Sequence, residues 1–210
     1  MLIGAGAGGI EKDKCDFFET IVEKQWVCTF VEPIEYAIEL LKKSYNYSNK
    51  HTYICRALDI NNDQHDRHIF YIEEDSMHID QIHIYNKACD IPQHMIERGN
   101  PVRKQFIKYN TIDQLIPQDQ FDVIHLNFVN WPLISRDGFK TPRIFSKFLM
   151  HLKKSKVKYL SYDNEMKFHI QDSLCTMLFK KHGFSFINDE KYFTSIEPGR
   201  NYFLIKNDNL

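Results

Sequence analysis

Apolar residues follow two alternating spacings along the N-terminal part of the chain. Residues 10–26 and 34–45 carry apolar residues at helical spacing. Short apolar runs lie before, between and after these two segments, at residues 1–3, 27–31 and 52–60. Repeats of three, four and seven residues are typical of one helix face, and short β-branched runs are typical of buried strands. This part therefore predicts strands and helices in alternation, as in a parallel α/β sheet.

The alternation of predicted strands and helices returns in the C-terminal half, but the last two predicted strands depart from it. The last two apolar runs, at 184–188 and 202–206, are not separated by a helical pattern, so they are expected to pair antiparallel. Glycine at Gly183 is expected to end the preceding helix. Between 106 and 182 the predicted elements are strands at 106–109, 121–126 and 157–162 and helices at 111–116, 142–152 and 166–182.

Residues 73–105 break the pattern. A strand is predicted just before them, at 68–72, but the segment itself has few apolar runs and several turn residues. It is expected to be an insertion or lid, with a plain surface excursion as the alternative. A chain of 210 residues otherwise fits one domain over residues 1–210.

Composition excludes several classes of partner and site. The formal net charge of -1 disfavours a nucleic-acid partner, and no apolar run approaches the roughly 18 residues of a membrane span. The 5 cysteines show no CxxC spacing, which favours reduced thiols and a cytoplasmic location. The histidines have no compact spacing with cysteines or carboxylates, so no metal is expected.

Glycine is concentrated in the turn at residues 4–9, and the acidic Glu32 ends the second predicted strand. Positions without a side chain let backbone N–H groups approach a ligand, and a strand-end carboxylate can accept hydrogen bonds from ribose hydroxyls. This pairing indicates an adenosine-containing cofactor. Glycines at 4, 6 and 9 also satisfy the G-x-G-x-x-G fingerprint, so an NAD(P)-binding Rossmann enzyme remains an alternative.

Four segments carry a resemblance to a known family: the glycine turn, Phe30-Val31-Glu32-Pro33, residues 109–116 before the apolar run at 121–124, and the closing segments 181–184 and 201–205. They resemble the S-adenosylmethionine-dependent class I methyltransferases, especially the FkbM-like branch. The resemblance implies a Rossmann-like, doubly wound, mostly parallel seven-stranded sheet with an antiparallel C-terminal hairpin strand. It also implies methyl transfer from S-adenosylmethionine to an acceptor oxygen of a small-molecule or glycan substrate.

The resemblance further implies which residues contact the cofactor. The glycines line its methionine and ribose part, and Glu32 holds the ribose hydroxyls, where a helix-start residue before Pro33 is the alternative. Asp59, at the end of the third predicted strand, is expected near the adenine amino group. The full set assigned to the cofactor is Gly4, Ala5, Gly6, Gly8, Glu32, Pro33, Asp59 and Asn127.

The chain departs from the FkbM-like pattern after the fourth strand. Such sequences carry Asp-x-Glu-Gly there, whereas this chain has His125-Leu126-Asn127-Phe128, without either acid or the glycine. His125 is predicted to be the general base, because imidazole titrates near neutral pH, with a core histidine as the alternative. The departure also leaves open a methyltransferase-like binding protein whose catalysis is impaired.

Overall fold

The computed structural model describes residues 1–5, 21–45, 49–60, 69–73, 83–85, 97, 102–126, 141–163, 172–187 and 201–207. Residues 21–23 and residue 97 are helical. The further helices of these ranges are α1 (Glu35–Ser44), α2 (Ile112–Leu115), α3 (Thr141–Lys154) and α4 (Asp172–Lys181). The strands are β1 (Leu2–Ile3), β2 (Thr29–Val31), β3 (Thr52–Ile54), β4 (Ala57–Asp59), β5 (Ile69–Glu73), β6 (His83–Tyr85), β7 (Val102–Phe106), β8 (Tyr109–Thr111), β9 (Val123–Leu126), β10 (Tyr159–Asp163), β11 (Phe184–Phe186) and β12 (Asn201–Lys206).

The largest sheet has seven strands in the order β11-β12-β10-β9-β1-β2-β3. Strands β1, β9 and β10 run parallel, as do β2 and β3. Strand β12 is antiparallel to both of its neighbours, β10 and β11. Counted along the chain, the strands β3-β2-β1-β9-β10 follow the 3-2-1-4-5 order of a doubly wound sheet. The predicted fold class, including the antiparallel C-terminal hairpin strand, is confirmed.

Contacts divide the chain into two compact units. The prediction of a single domain over 1–210 is not tested by this division and stays a prediction. The first unit comprises Met1–Gly4, Leu58–Asp63 and Asn110–Leu210, and the second comprises Ala5–Ala57 and Gln64–Tyr109.

Aromatic side chains from both long helices fill the core of the first unit. Phe145 and Phe148 of α3 stack with ring centroids 6.5 Å apart, and Phe145 meets Phe179 of α4 edge-on at 5.3 Å. All three are fully buried. Such pairs add to the hydrophobic gain of burying large rings, so they fix α3 against α4.

Helix ends in the first unit are where the sequence predicts them. Thr111 accepts a hydrogen bond from the Gln114 amide, and the Gln114 side chain accepts one from the Thr111 amide, a capping box that begins α2. Gly183 follows α4 with φ of 81°, a left-handed conformation that glycine adopts without a Cβ clash. The predicted glycine end of this helix is therefore confirmed.

In the second unit, α1 packs on the segment that follows β7. Ile34, Ala37 and Ile107 form a buried cluster. A second group surrounds Phe30 of β2, which stacks on Tyr53 of β3 at 5.3 Å. The first cluster joins α1 to the chain near residue 107, and the second joins β2 to β3.

Two predicted strand boundaries are wrong. The run at 52–60 is not one strand, because the Arg56 N–H donates to the Ile54 carbonyl at 3.0 Å and this tight turn ends β3. Asp59 accordingly ends β4, which pairs with β8 in a separate two-stranded sheet. The predicted strand at 106–109 is also divided, since β7 ends at Phe106 and β8 begins at Tyr109.

The segment at 73–105 has secondary structure of its own. Strands β6 and β7 flank β5 in an antiparallel three-stranded sheet, order β6-β5-β7. Its role as an insertion or lid stays a prediction. Among the helices within the described ranges, none is both long and apolar enough to cross a membrane.

Candidate functional site

The switch point of the doubly wound sheet lies between β1 and β9, both in the first unit. These strands pair with Leu2 opposite His125 and Ile3 opposite Leu126. Open α/β sheets bind ligands outside the carboxyl ends of the strands at this point. The residue that follows β1 is Gly4, whose φ of 76° is left-handed. The beginning of the predicted glycine turn therefore stands where this fold class binds ligands.

The conformation of Gly4 predicts the effect of adding a side chain. Gly4→Ala is expected to lower the free energy of unfolding by about 1–2 kcal/mol, because the left-handed region places a Cβ against the following carbonyl. Gly183→Ala, with a similar φ of 81°, is the matched variant and is expected to lose a similar amount. Urea unfolding of both variants measures the loss, and an unchanged midpoint for Gly4→Ala would contradict the assigned backbone conformation.

The carboxyl end of β2 carries the predicted ribose-binding acid, in the second unit. The Ala5 amide donates to the carbonyl of Val31 at 3.2 Å, which brings the start of the glycine turn beside Glu32. The Glu32 amide donates to the Ile54 carbonyl of β3 at 3.1 Å. The strand end that bears Glu32 is thus held from two sides by backbone hydrogen bonds.

The Glu32 carboxylate is buried, with 6% of the residue exposed. Its Oε1 accepts a hydrogen bond of 3.0 Å from the Ile34 amide, immediately before α1. Amides at a helix N-terminus carry partial positive charge, so this position favours a negative side chain. A carboxylate has about four acceptor positions, so this bond is compatible with further bonds to a diol. Its role in holding the ribose hydroxyls stays a prediction.

Two further side chains hold the turn after Glu32. Gln105 of β7 is buried, its Oε1 accepts from the Glu35 amide at 3.0 Å, and its Nε2 donates to the Pro33 carbonyl at 2.8 Å. The Cys55 thiol donates to the same carbonyl at 3.4 Å. Burial, followed by the charges of Glu35 and Glu32, raises the pKa of Cys55, which keeps the thiol protonated as a donor.

Sequence reasoning identified neither Gln105 nor Cys55 as part of this turn. Gln105 lies 70 positions from Glu35, inside the segment interpreted as an insertion. Cys55 lies within the run that was predicted to be one continuous strand. No local pattern marks either residue, because their roles arise only from contacts between distant segments.

His125 is deeply buried in the first unit, with 2% of the residue exposed. Its Nδ1 lies 2.8 Å from the Oγ of Ser161, the residue opposite it on β10. Burial, followed by the positive Met1 amino group, lowers the pKa of His125 from 6.5 to about 3. The imidazole is therefore neutral at physiological pH but weakly basic, which gives little driving force for taking a proton. Its role as general base stays a prediction.

The structure thus brings Ala5, Glu32 and Pro33 together in the second unit. Asp59 lies half-buried at the end of β4. Gly6, Gly8 and Asn127 are outside the described residues, so their assignments stay predictions. Within the described part of the chain, no group of three or more histidine, cysteine, aspartate or glutamate side chains could hold a metal ion.

No protein-family model and no curated protein matches the chain. Among solved structures it is similar to the "Crystal structure of magnesium protoporphyrin IX methyltransferase (ChlM) from Synechocystis PCC 6803 with bound SAM". The two share 10% sequence identity at a TM-score of 0.48, over 98% of this chain and 68% of that chain. A likeness this distant assigns no function by itself.

Proposed function

We propose that this chain is an S-adenosylmethionine-dependent methyltransferase that acts on an acceptor oxygen of a small or sugar-like molecule. The observation that carries the proposal is the buried Glu32 carboxylate at the carboxyl end of β2, held by the Ile34 amide. A carboxylate there suits two vicinal ribose hydroxyls, because charge-assisted hydrogen bonds are stronger than neutral ones. The hydrogen bond from the Ala5 amide to the Val31 carbonyl supports it, because it holds Ala5 next to the strand end that bears this acid.

The closing strands favour a methyltransferase over a nicotinamide enzyme. Strand β12 runs antiparallel between β10 and β11, in the manner of the hairpin on which the resemblance partly rests. The stretch at 109–116, which suggests the FkbM-like branch, forms β8 and the capped helix α2. Both features support the proposed family and, through its branch, an oxygen acceptor.

The proposal assigns the chain a positioning task. S-adenosylmethionine supplies a methyl group on a sulfonium, which is already an activated leaving group. Glu32 would orient the cofactor by accepting hydrogen bonds from its ribose hydroxyls. The acceptor hydroxyl must lose a proton, and His125 is the residue assigned to receive it.

Thermal unfolding with added nucleotides tests the cofactor assignment. S-adenosylhomocysteine at about 100 times its Kd is expected to add about 2.7 kcal/mol of stability, because it binds only the folded chain. For a chain of this size the gain raises Tm by about 5–10 °C. NAD is the comparison ligand, and stabilisation by NAD alone would exclude the proposed cofactor in favour of a dinucleotide.

The surroundings of His125 favour a second candidate, a methyltransferase-like binding protein without catalysis. An imidazole with a pKa of about 3 is a poor base, and the acidic motif of the FkbM-like branch is missing. This candidate predicts that S-adenosylhomocysteine binds while hydroxyl-bearing acceptors yield no methylated product. Product formation with any such acceptor decides for the enzyme.

A further inference from the structure

The end of β7 and the residue that follows it contact the start of α1 through polar and apolar groups, respectively. Ile107, just after β7, is buried against Ile34 and Ala37. Two residues earlier, Gln105 points its amide at the turn between β2 and α1. Gln105 therefore anchors the end of β7 to the turn that carries Glu32, and Ile107, just after this strand, adds an apolar contact.

Gln105 supplies the N-terminal capping hydrogen bond that the N-cap residue of α1 does not provide. Ile34 occupies the N-cap position, and its side chain makes no capping hydrogen bond. The first amides of a helix have no partner within the helix, and Gln105 Oε1 accepts from the first of them, that of Glu35. The Nε2 group of the same side chain donates to the Pro33 carbonyl, so one planar amide spans the turn.

We propose that Gln105 is a positioning residue for the Glu32 carboxylate, and that the three-stranded sheet controls nucleotide affinity through it. Glu32 Oε1 binds the Ile34 amide, which directly precedes the Glu35 amide held by Gln105. A shift of residues 33–35 therefore moves the group that orients the carboxylate. The identity of the ligand rests on the proposed function, whereas the hydrogen bonds by which Gln105 holds the turn do not depend on it.

A double-mutant cycle tests this coupling. Gln105→Leu keeps the approximate size of the side chain and removes both hydrogen bonds, so S-adenosylhomocysteine is expected to bind about tenfold more weakly by calorimetry. In a Glu32→Gln background the same change is expected to cost less than about twofold, because the charge that it positions is gone. Equal losses in both backgrounds would overturn the proposal.

Backbone hydrogen exchange measures the hold on the turn without any ligand. Gln105→Leu is expected to speed exchange of the Ile34 and Glu35 amides by about tenfold or more. Gln120→Leu, the same change at an exposed position, is the control and is expected to leave both rates unchanged. Unchanged rates in Gln105→Leu overturn the proposal. Faster exchange in a chain that binds no S-adenosylhomocysteine supports the hold by Gln105 and rejects the proposed function instead.

Discussion

Glu32→Gln is expected to weaken binding of S-adenosylhomocysteine by about 10- to 100-fold, since a hydrogen bond to a charged group is worth about 1.5–3 kcal/mol. Glutamine retains an oxygen for the Ile34 amide, so the turn keeps its local hydrogen bond. The substitution removes the charge that is proposed to attract the ribose hydroxyls. Isothermal calorimetry with purified wild-type and variant chains measures the difference.

The exposed Glu39 of α1 provides the matched control for this variant. Glu39→Gln removes the same charge from the same helix region without touching the β2 end, and its affinity is expected to stay within about twofold of wild type. Equal weakening by both variants would indicate a general electrostatic effect. Unchanged affinity in Glu32→Gln would remove the ribose assignment.

Acid is expected to destabilise the first unit through His125. Its pKa falls from 6.5 to about 3 on folding, so the unfolded chain binds the proton more readily than the folded chain does. The stability contributed by the neutral, buried imidazole is complete above 6.5 and is lost progressively as pH falls toward 3. In that window the free energy of unfolding is expected to fall by about 1.4 kcal/mol per pH unit from this group alone.

Urea unfolding at about pH 7 and about pH 5 separates His125 from other titrating groups. His125→Asn has no titrating side chain at this position. Its free energy of unfolding should therefore fall less steeply with acid than that of wild type, with a slope smaller by about 1.4 kcal/mol per pH unit. Ser161→Ala keeps the imidazole while removing its 2.8 Å partner, and its slope should stay close to that of wild type. Parallel slopes for wild type and His125→Asn would contradict the low pKa.

Elements with strong local signals were predicted well. The apolar run at 121–126 includes β9, and the run at 157–162 covers most of β10. The end of α4 followed from Gly183, because a left-handed residue after a helix favours glycine. Periodicity and glycine placement depend on neighbours in sequence, which is why these elements were accessible without a structure.

The break in the third predicted strand could not be predicted from periodicity or glycine placement. Residues 52–60 are mostly apolar or β-branched, and they contain no glycine or proline that would mark the turn at Cys55 and Arg56. The break assigns two candidate site residues to different sheets. Cys55 follows β3 of the seven-stranded sheet, whereas Asp59 belongs to β4 of the two-stranded sheet. A one-dimensional pattern cannot show which of two sheets a strand joins.

The site was predictable only where its residues follow strand ends. Glu32 was identified because it directly follows a buried run, and the structure places it at the end of β2. Gln105 instead meets this turn from a separate sheet, through side-chain hydrogen bonds across 70 and 72 positions. Partners at such separation are chosen by tertiary packing, which single-sequence propensities do not contain.

The place of β12 constrains when this chain can fold during synthesis. Strand β12 lies between β10 and β11, so neither of them has its full set of sheet partners until residues 201–206 are available. The edge of β10 that pairs with β12 therefore stays unpaired while the residues between the two strands are made. Unpaired edges recruit other strands, so we expect the nascent chain to be exposed to mispairing over that interval.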